Sequence, residues 1–184
     1  MKVLNLILKQ VYFDQILKGE KTQEFRDVKP TTVKKLLQLD DEGYEVEDEN
    51  GNAQPIKYDA IRFYVGYNKD RDTMLIEVKD AHCEIFTDAI RDEQGNAIQF
   101  KARDGKPIFY AIDEEGYFLL DDKGEYIEVG EDEDFRCAPM ECANGDECVE
   151  IDKPIEYEHE GRLWVAEQVV YDLGKILECN AKKR

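Results

Sequence analysis

Between residues 92 and 124 the chain is punctuated every eight to eleven residues by an acidic turn signal. The signals are Asp92-Glu93-Gln94-Gly95, Arg103-Asp104-Gly105, Asp113-Glu114-Glu115-Gly116 and Asp121-Asp122-Lys123-Gly124. Asp and Gly both accept the positive φ that tight hairpin turns require. The stretches between them, residues 107–112, 117–120 and 126–129, are apolar and rich in β-branched and aromatic side chains. Asp41-Glu42-Gly43 and Asp48-Glu49-Asn50-Gly51 repeat the pattern earlier in the chain. Such spacing leaves no room for a long helix and predicts short strands joined by hairpins, two β-meanders with solvated acidic edges.

Two sharper readings of these turns fail. A calcium loop of the EF-hand type needs an acidic ligand five residues before its glycine. Val46, Ile90, Ala111 and Leu119 stand there instead. A GTPase would add a phosphate-binding G-x-x-x-x-G-K-[ST] loop, which the sequence lacks.

Charge divides the chain in the same way. The net charge of −18 is concentrated in residues 40–56, which balance to −7, and residues 83–160, which balance to −17. Residues 1–39 balance to +4, residues 57–82 to zero and residues 161–184 to +2. The two acidic segments therefore read as insertions into a less acidic framework. That framework alone does not repel an anionic ligand. The hydrophobic fraction of 42% is enough for a core. The longest early apolar run, residues 3–8, contains Asn5 and stops at Lys9, too short for a signal-peptide core. No later run approaches a membrane span, so a cytoplasmic protein without membrane contact is expected. Its five cysteines, an odd number, are then expected to be reduced.

The framework predicts α+β architecture with strands predominating. Leu4, Leu6 and Leu8 alternate on one face of a first strand. Tyr12, Phe13, Ile16 and Leu17 form the stripe of a short helix closed by Gly19. Residues 21–26 read as extended, and Thr31 or Thr32 caps a second short helix burying Val33, Leu36 and Leu37. Ile61, Phe63 and Val65 alternate in one strand, and Met74, Ile76 and Val78 in the next, which sends Glu77 to the opposite face. Residues 163–165 and 169–173 are apolar runs suited to buried strands, the second ended by Gly174.

Gly19-Glu20-Lys21-Thr22-Gln23-Glu24-Phe25-Arg26 reads G-x-K-x-x-E-x-R. With its flanks this closely resembles the signature of the ASCH domain family, a branch of the PUA-like β-barrel proteins. The flanks are residues 4–6, 12–17, 26–30, 58–63, 66–67 and 173–176. The resemblance covers the near-neutral framework and skips both acidic segments. It implies a PUA-like β-barrel from residues 1–82 and 161–184, with an inserted β-meander at 83–160 and a short hairpin insertion at 40–56. It also implies RNA or a nucleotide or nucleoside as partner, bound without a cofactor in a cleft beside the barrel.

Lys21 offers a compact cation and Arg26 a planar fork, both suited to phosphate. Tyr64 and Tyr67, flanking Gly66, are the stacking candidates. Glu24 and Arg26 share one face of an extended segment, so a bulge or a turn at Thr22 is needed to bring Lys21 to them. Some small relatives are amidohydrolases, and Glu77 aligns with a glutamate they use. Lys21, Glu24 and Glu77 are thus candidates for acid–base work on a modified nucleoside. Those relatives carry a nucleophilic Thr where this chain has Glu24, a departure that weakens the catalytic reading. From charge alone, Glu24 pairing with Lys21 or Arg26 also serves simply to order the mouth of the sheet. A third reading makes the acidic insertion a surface for a basic protein partner.

Cys137, Cys142 and Cys148 are spaced C-x4-C-x5-C, with Cys83, His82 and His159 as further ligands. That spacing is looser than a zinc knuckle, and no metal is expected. His82 and Cys83 are strand neighbours and point to opposite faces. Trp164 reads as core, and residues 182–184 as a basic tail.

Overall fold

The computed structural model describes residues 1–130 and 136–182. Lys183 and Arg184 of the basic tail lie outside the described residues. In chain order the elements begin with β1 (Val3–Leu8), α1 (Gln10–Leu17), β2 (Gln23–Asp27), α2 (Val33–Leu36), β3 (Ala60–Val65) and β4 (Thr73–Ile85). The acidic region contributes β5 (Thr87–Ala89), β6 (Gln99–Arg103), β7 (Lys106–Pro107), β8 (Phe109–Ala111), β9 (Glu128–Val129), β10 (Cys137–Pro139), β11 (Cys148–Glu150) and β12 (Asp152–Pro154). β13 (Glu156–His159), β14 (Arg162–Val165) and β15 (Glu167–Asn180) close the chain. The protein is mostly β, with two short helices among the described residues. No helix among them is long and apolar enough to cross a membrane.

The chain divides into two units, Met1–Phe86 with Glu156–Arg184, and Thr87–Ile155. The first is built on a five-stranded sheet in the order β1-β3-β4-β15-β2. β1 runs parallel to β3; the other pairings are antiparallel. Leu4, Leu6, Phe63, Met74, Ile76, Val169 and Tyr171 turn to one face and meet Phe13 and Ile16 of α1 and Val33 and Leu36 of α2. This is the period of two in each strand brought into register by pairing. The helical stripe is narrower than the sequence suggests: Phe13 and Ile16 are buried, whereas Tyr12 and Leu17 are exposed.

The sheet does not close into a barrel by backbone pairing among the described residues, since β1 and β2 remain its outer strands. Gly174 does not end the last strand either. β15 continues to Asn180 through register shifts on either side of Leu173 and Ile176, a bulge that the missing Cβ permits. Leu163 and Val165, expected to be buried, are exposed, because β14 pairs only with β13 in a two-stranded ribbon. Its Trp164 does pack against the core.

The acidic segment expected at 40–56 belongs to a stretch, residues 37–55, of two bridged hairpins within the first unit, with Leu37 opposite Pro55, Leu39 opposite Glu45 and Glu47 opposite Ala53. Arg162 ties it down. Its guanidinium lies 4.7 Å from the Tyr44 ring and 4.6 Å from Trp164, and its Nη1 donates to the Gly43 carbonyl at 3.2 Å.

The second unit differs from a simple meander. β12 pairs with β5, β11 with β6 and β10 with β8, so the strands return in reverse order and nest. Local hairpins fill the interval, with Arg91 bridged to Ala97, Ile112 to Phe118 and Leu120 to Tyr126. In each turn the aspartate is consumed by the fold. Asp92 Oδ1 accepts from the backbone of Gln94 and Asn96, Asp113 from Glu115 and Tyr117, Asp121 from Lys123 and Glu125. Tyr110, Phe118 and Tyr126 meet edge to face at 5.8–6.2 Å, and Tyr110 is buried with Phe100, Ala102 and Ala111. The expectation of five reduced cysteines is corrected here: Cys142 and Cys148 are joined in a disulfide across the turn at Gly145, their Cα atoms 6.1 Å apart.

Candidate functional site at the start of β2

α1 stops because Gly19 enters the left-handed region at φ 76°. The amides of Glu20 and Lys21 then fold back onto the Gln15 carbonyl at 2.9 and 3.3 Å. The Leu173 amide donates to the Thr22 carbonyl at 2.8 Å and starts the pairing of β2 with β15. This turn overrides the alternation that would have sent Lys21 away from Glu24. Lys21 Nζ lies 3.4 Å from Glu24 Oε2, and Arg26 Nη2 lies 2.5 Å from Glu24 Oε1.

The Glu24 side chain is 5% exposed, those of Lys21 and Arg26 20% and 28%. A buried carboxylate is therefore held by two cations whose outer surfaces reach solvent. One positive charge is left over. Glu24 stands opposite Tyr171 and Arg26 opposite Val169, so the triad faces the core side of the sheet. Arg26 Nη2 also donates to the Ile7 carbonyl of β1 at 3.1 Å. Among the described residues, Arg26 Nε and the Tyr171 hydroxyl are buried without a hydrogen-bond partner. Burial pushes the Tyr171 hydroxyl well above the usual phenol range.

Lys21 borders a recess of about 460 Å³ between the end of α1 and the β15 bulge. Lys18, Lys21 and Lys175 supply its charge, Ile76, Leu173 and Ile176 part of its apolar lining, and no acidic residue lines it. In a chain of net charge −18 this is a local concentration of basic residues. The Lys21 ammonium also lies 5.1 Å from the Phe25 ring centre and 5.8 Å from that of Tyr12, both rings exposed.

The other expected site residues are not gathered here. Glu77 follows Ile76 on β4, and its side chain leaves by the face opposite the core. There its Oε2 accepts the Lys175 amide at 3.2 Å. Tyr64 pairs with Ile7 on the outer face, its ring under the Arg71 guanidinium at 4.2 Å. Tyr67 is 84% exposed in the turn after β3. Alternation in β3 and β4, a period of two, places Tyr64 and Glu77 on the outer face.

Lys18, Lys175, Tyr12 and Phe25 are the residues the sequence reading passed over. The signal for Phe25 was present, because it sits between Glu24 and Arg26 and must face outward. Lys175 could not be placed without the bulge.

No group of three or more His, Cys, Asp or Glu side chains able to hold a metal exists among the described residues. His82 lies on the exposed side of β4, 3.4 Å from Glu84. Cys83 turns inward, where burial, with Glu167 and Glu45 nearby, pushes its thiol up to about 12. The two are no nucleophilic pair. Comparisons of the chain with protein-family models, with curated proteins and with solved structures find no match.

Proposed function

We propose that the first unit is a binding module of the ASCH type, its sheet a PUA-like barrel left open between β1 and β2, that takes a nucleotide or a short RNA segment beside Lys21. The observation that supports this reading is the recess lined by Lys18, Lys21 and Lys175 with no acidic neighbour in its wall. Phosphate enters that recess, and the exposed rings of Tyr12 and Phe25 offer faces on which a base can stack. A short ligand suits the site better than a long one, because the second unit is strongly acidic and repels an extended polyanion. Hydrolysis by Lys21, Glu24 and Glu77 has less support. Glu24 is closed by two cations and Glu77 lies on the other face of the sheet.

Equilibrium binding of a labelled ribo-oligonucleotide at several salt concentrations tests the proposal. Three phosphate contacts give a slope of log affinity against log salt of about −2. Lys21→Ala should remove about a third of that slope. Tyr12→Ala or Phe25→Ala should weaken the oligonucleotide about tenfold and leave inorganic phosphate unaffected. A slope of zero, or a Lys21→Ala variant that binds like the parent, overturns it.

A further inference from the structure

At the far end of β2 the Val28 amide donates to the Glu167 carbonyl at 2.9 Å, which joins the strand end to the first residue of β15. A cavity of about 450 Å³ opens beside this junction. Val28, Pro30, Phe86, Tyr157 and Ala166 give it apolar and aromatic walls, Glu167 and Asp27 supply carboxylates, and the His159 imidazole also lines it. Glu167 is only 4% exposed. Among the described residues no hydrogen-bond donor and no cation is paired with that carboxylate. At the rim, Lys29 is already matched by Asp27 at 3.9 Å.

A carboxylate so enclosed is stabilised by a cation it can touch. A second acid, Glu45, acts on it with like charge, which adds to the demand and disfavours any anionic guest. Phe86 and Tyr157 line the cavity, and aromatic rings attract an ammonium through their quadrupoles and an apolar body through contact area.

We propose that this cavity is a second binding site, for a small organic ammonium carried on an apolar body, of the arylalkyl amine class. The ammonium sits against Glu167, and the aryl group lies among Pro30, Phe86 and Tyr157.

The test is a titration of the ¹⁵N-labelled full chain with 2-phenylethylamine and, separately, with 2-phenylethanol, followed by NMR. The amine should shift the Val28 and Ala166 amides saturably, with an affinity about tenfold or more above that of the alcohol. Glu167→Gln should bring the two ligands to equal affinity, its spectrum reporting that the fold is intact. Phe86→Ala, at a partly exposed position, should weaken the amine about threefold or more. Equal affinity for amine and alcohol in the parent, or no saturable shift, overturns the proposal. So does a folded Glu167→Gln variant that binds the amine like the parent.

Discussion

Arg26 on β2 donates from Nη2 to the Ile7 carbonyl on β1 at 3.1 Å, so one guanidinium spans the two outer strands of the sheet. The same nitrogen holds the buried carboxylate of Glu24. Removing Arg26 therefore costs on two counts. Arg26→Ala should destabilise the protein by about 3 kcal/mol, because Glu24 keeps only Lys21 as counter-ion. Arg26→Lys should recover only part of that, since the shorter lysine stem does not carry its nitrogen to the place of Nη2 between both partners. Urea unfolding of both variants measures the difference, and near-parental stability of Arg26→Ala would show that the bridge carries no load.

Gly174 and Glu77 form a second coupled pair. A Cβ built on Gly174 would stand 2.5 Å from Glu77 Oε2 and 3.0 Å from its Cβ and Cγ. Gly174→Ala should cost about 1–3 kcal/mol through this overlap and displace the carboxylate from the Lys175 amide. In a Glu77→Ala background, where only the 3.0 Å contact with the residue-77 Cβ remains, the same substitution should cost clearly less. A double-mutant cycle by thermal unfolding decides it; additive effects would mean that the two side chains do not collide.

Burial, with Glu45 adding like charge, pushes the Glu167 carboxyl from 4.5 up to about 7. The folded state then binds the proton more tightly than the unfolded chain. Glu167 costs nothing below about pH 4.5, and its penalty grows until it is complete above about pH 7. Glu167→Gln should raise stability at pH 8 by on the order of 1–3 kcal/mol and leave it nearly unchanged at about pH 4. Paired melting curves across that range test the sign, and a constant offset between parent and variant would remove the assignment.

The thiols offer an independent readout. Cys142 and Cys148 are paired, Cys137 and Cys179 are exposed, and Cys83 is half-buried with its thiol pushed up to about 12. Without reductant, a thiol reagent should label Cys137 and Cys179 quickly and Cys83 only on unfolding. Reduction should expose two further thiols and lower the stability of the second unit by about 2 kcal/mol, the entropy of so short a closed loop. Mass spectrometry after alkylation counts them, and five fast thiols in the untreated protein would contradict this arrangement.

Strand content, turn positions and the inward residues of β1, β3 and the first half of β4 were legible in the sequence. They depend on alternation and on Asp–Gly turn chemistry, which act over a few residues. The pairing of Glu24 with Lys21 and Arg26 was legible too, once a turn at Thr22 was granted. What surrounds that triad was not. Lys18, Lys21 and Lys175 line one recess only because β15 bulges at Gly174, and Glu77 is withdrawn from it by its place on the outer face of β4. Glu167 carried no local mark at all; around it the fold brings together chain segments at residues 28, 86, 157 and 166.

The sequence by itself determined which segments extend, where they turn and which of their faces is apolar, since these follow from covalent geometry and near-neighbour sterics. Only the tertiary structure decided which charges meet and which are left without a partner. Electrostatic environment depends on distances through space between strands far apart in the chain, and a single bulge changes those distances while leaving every local preference intact.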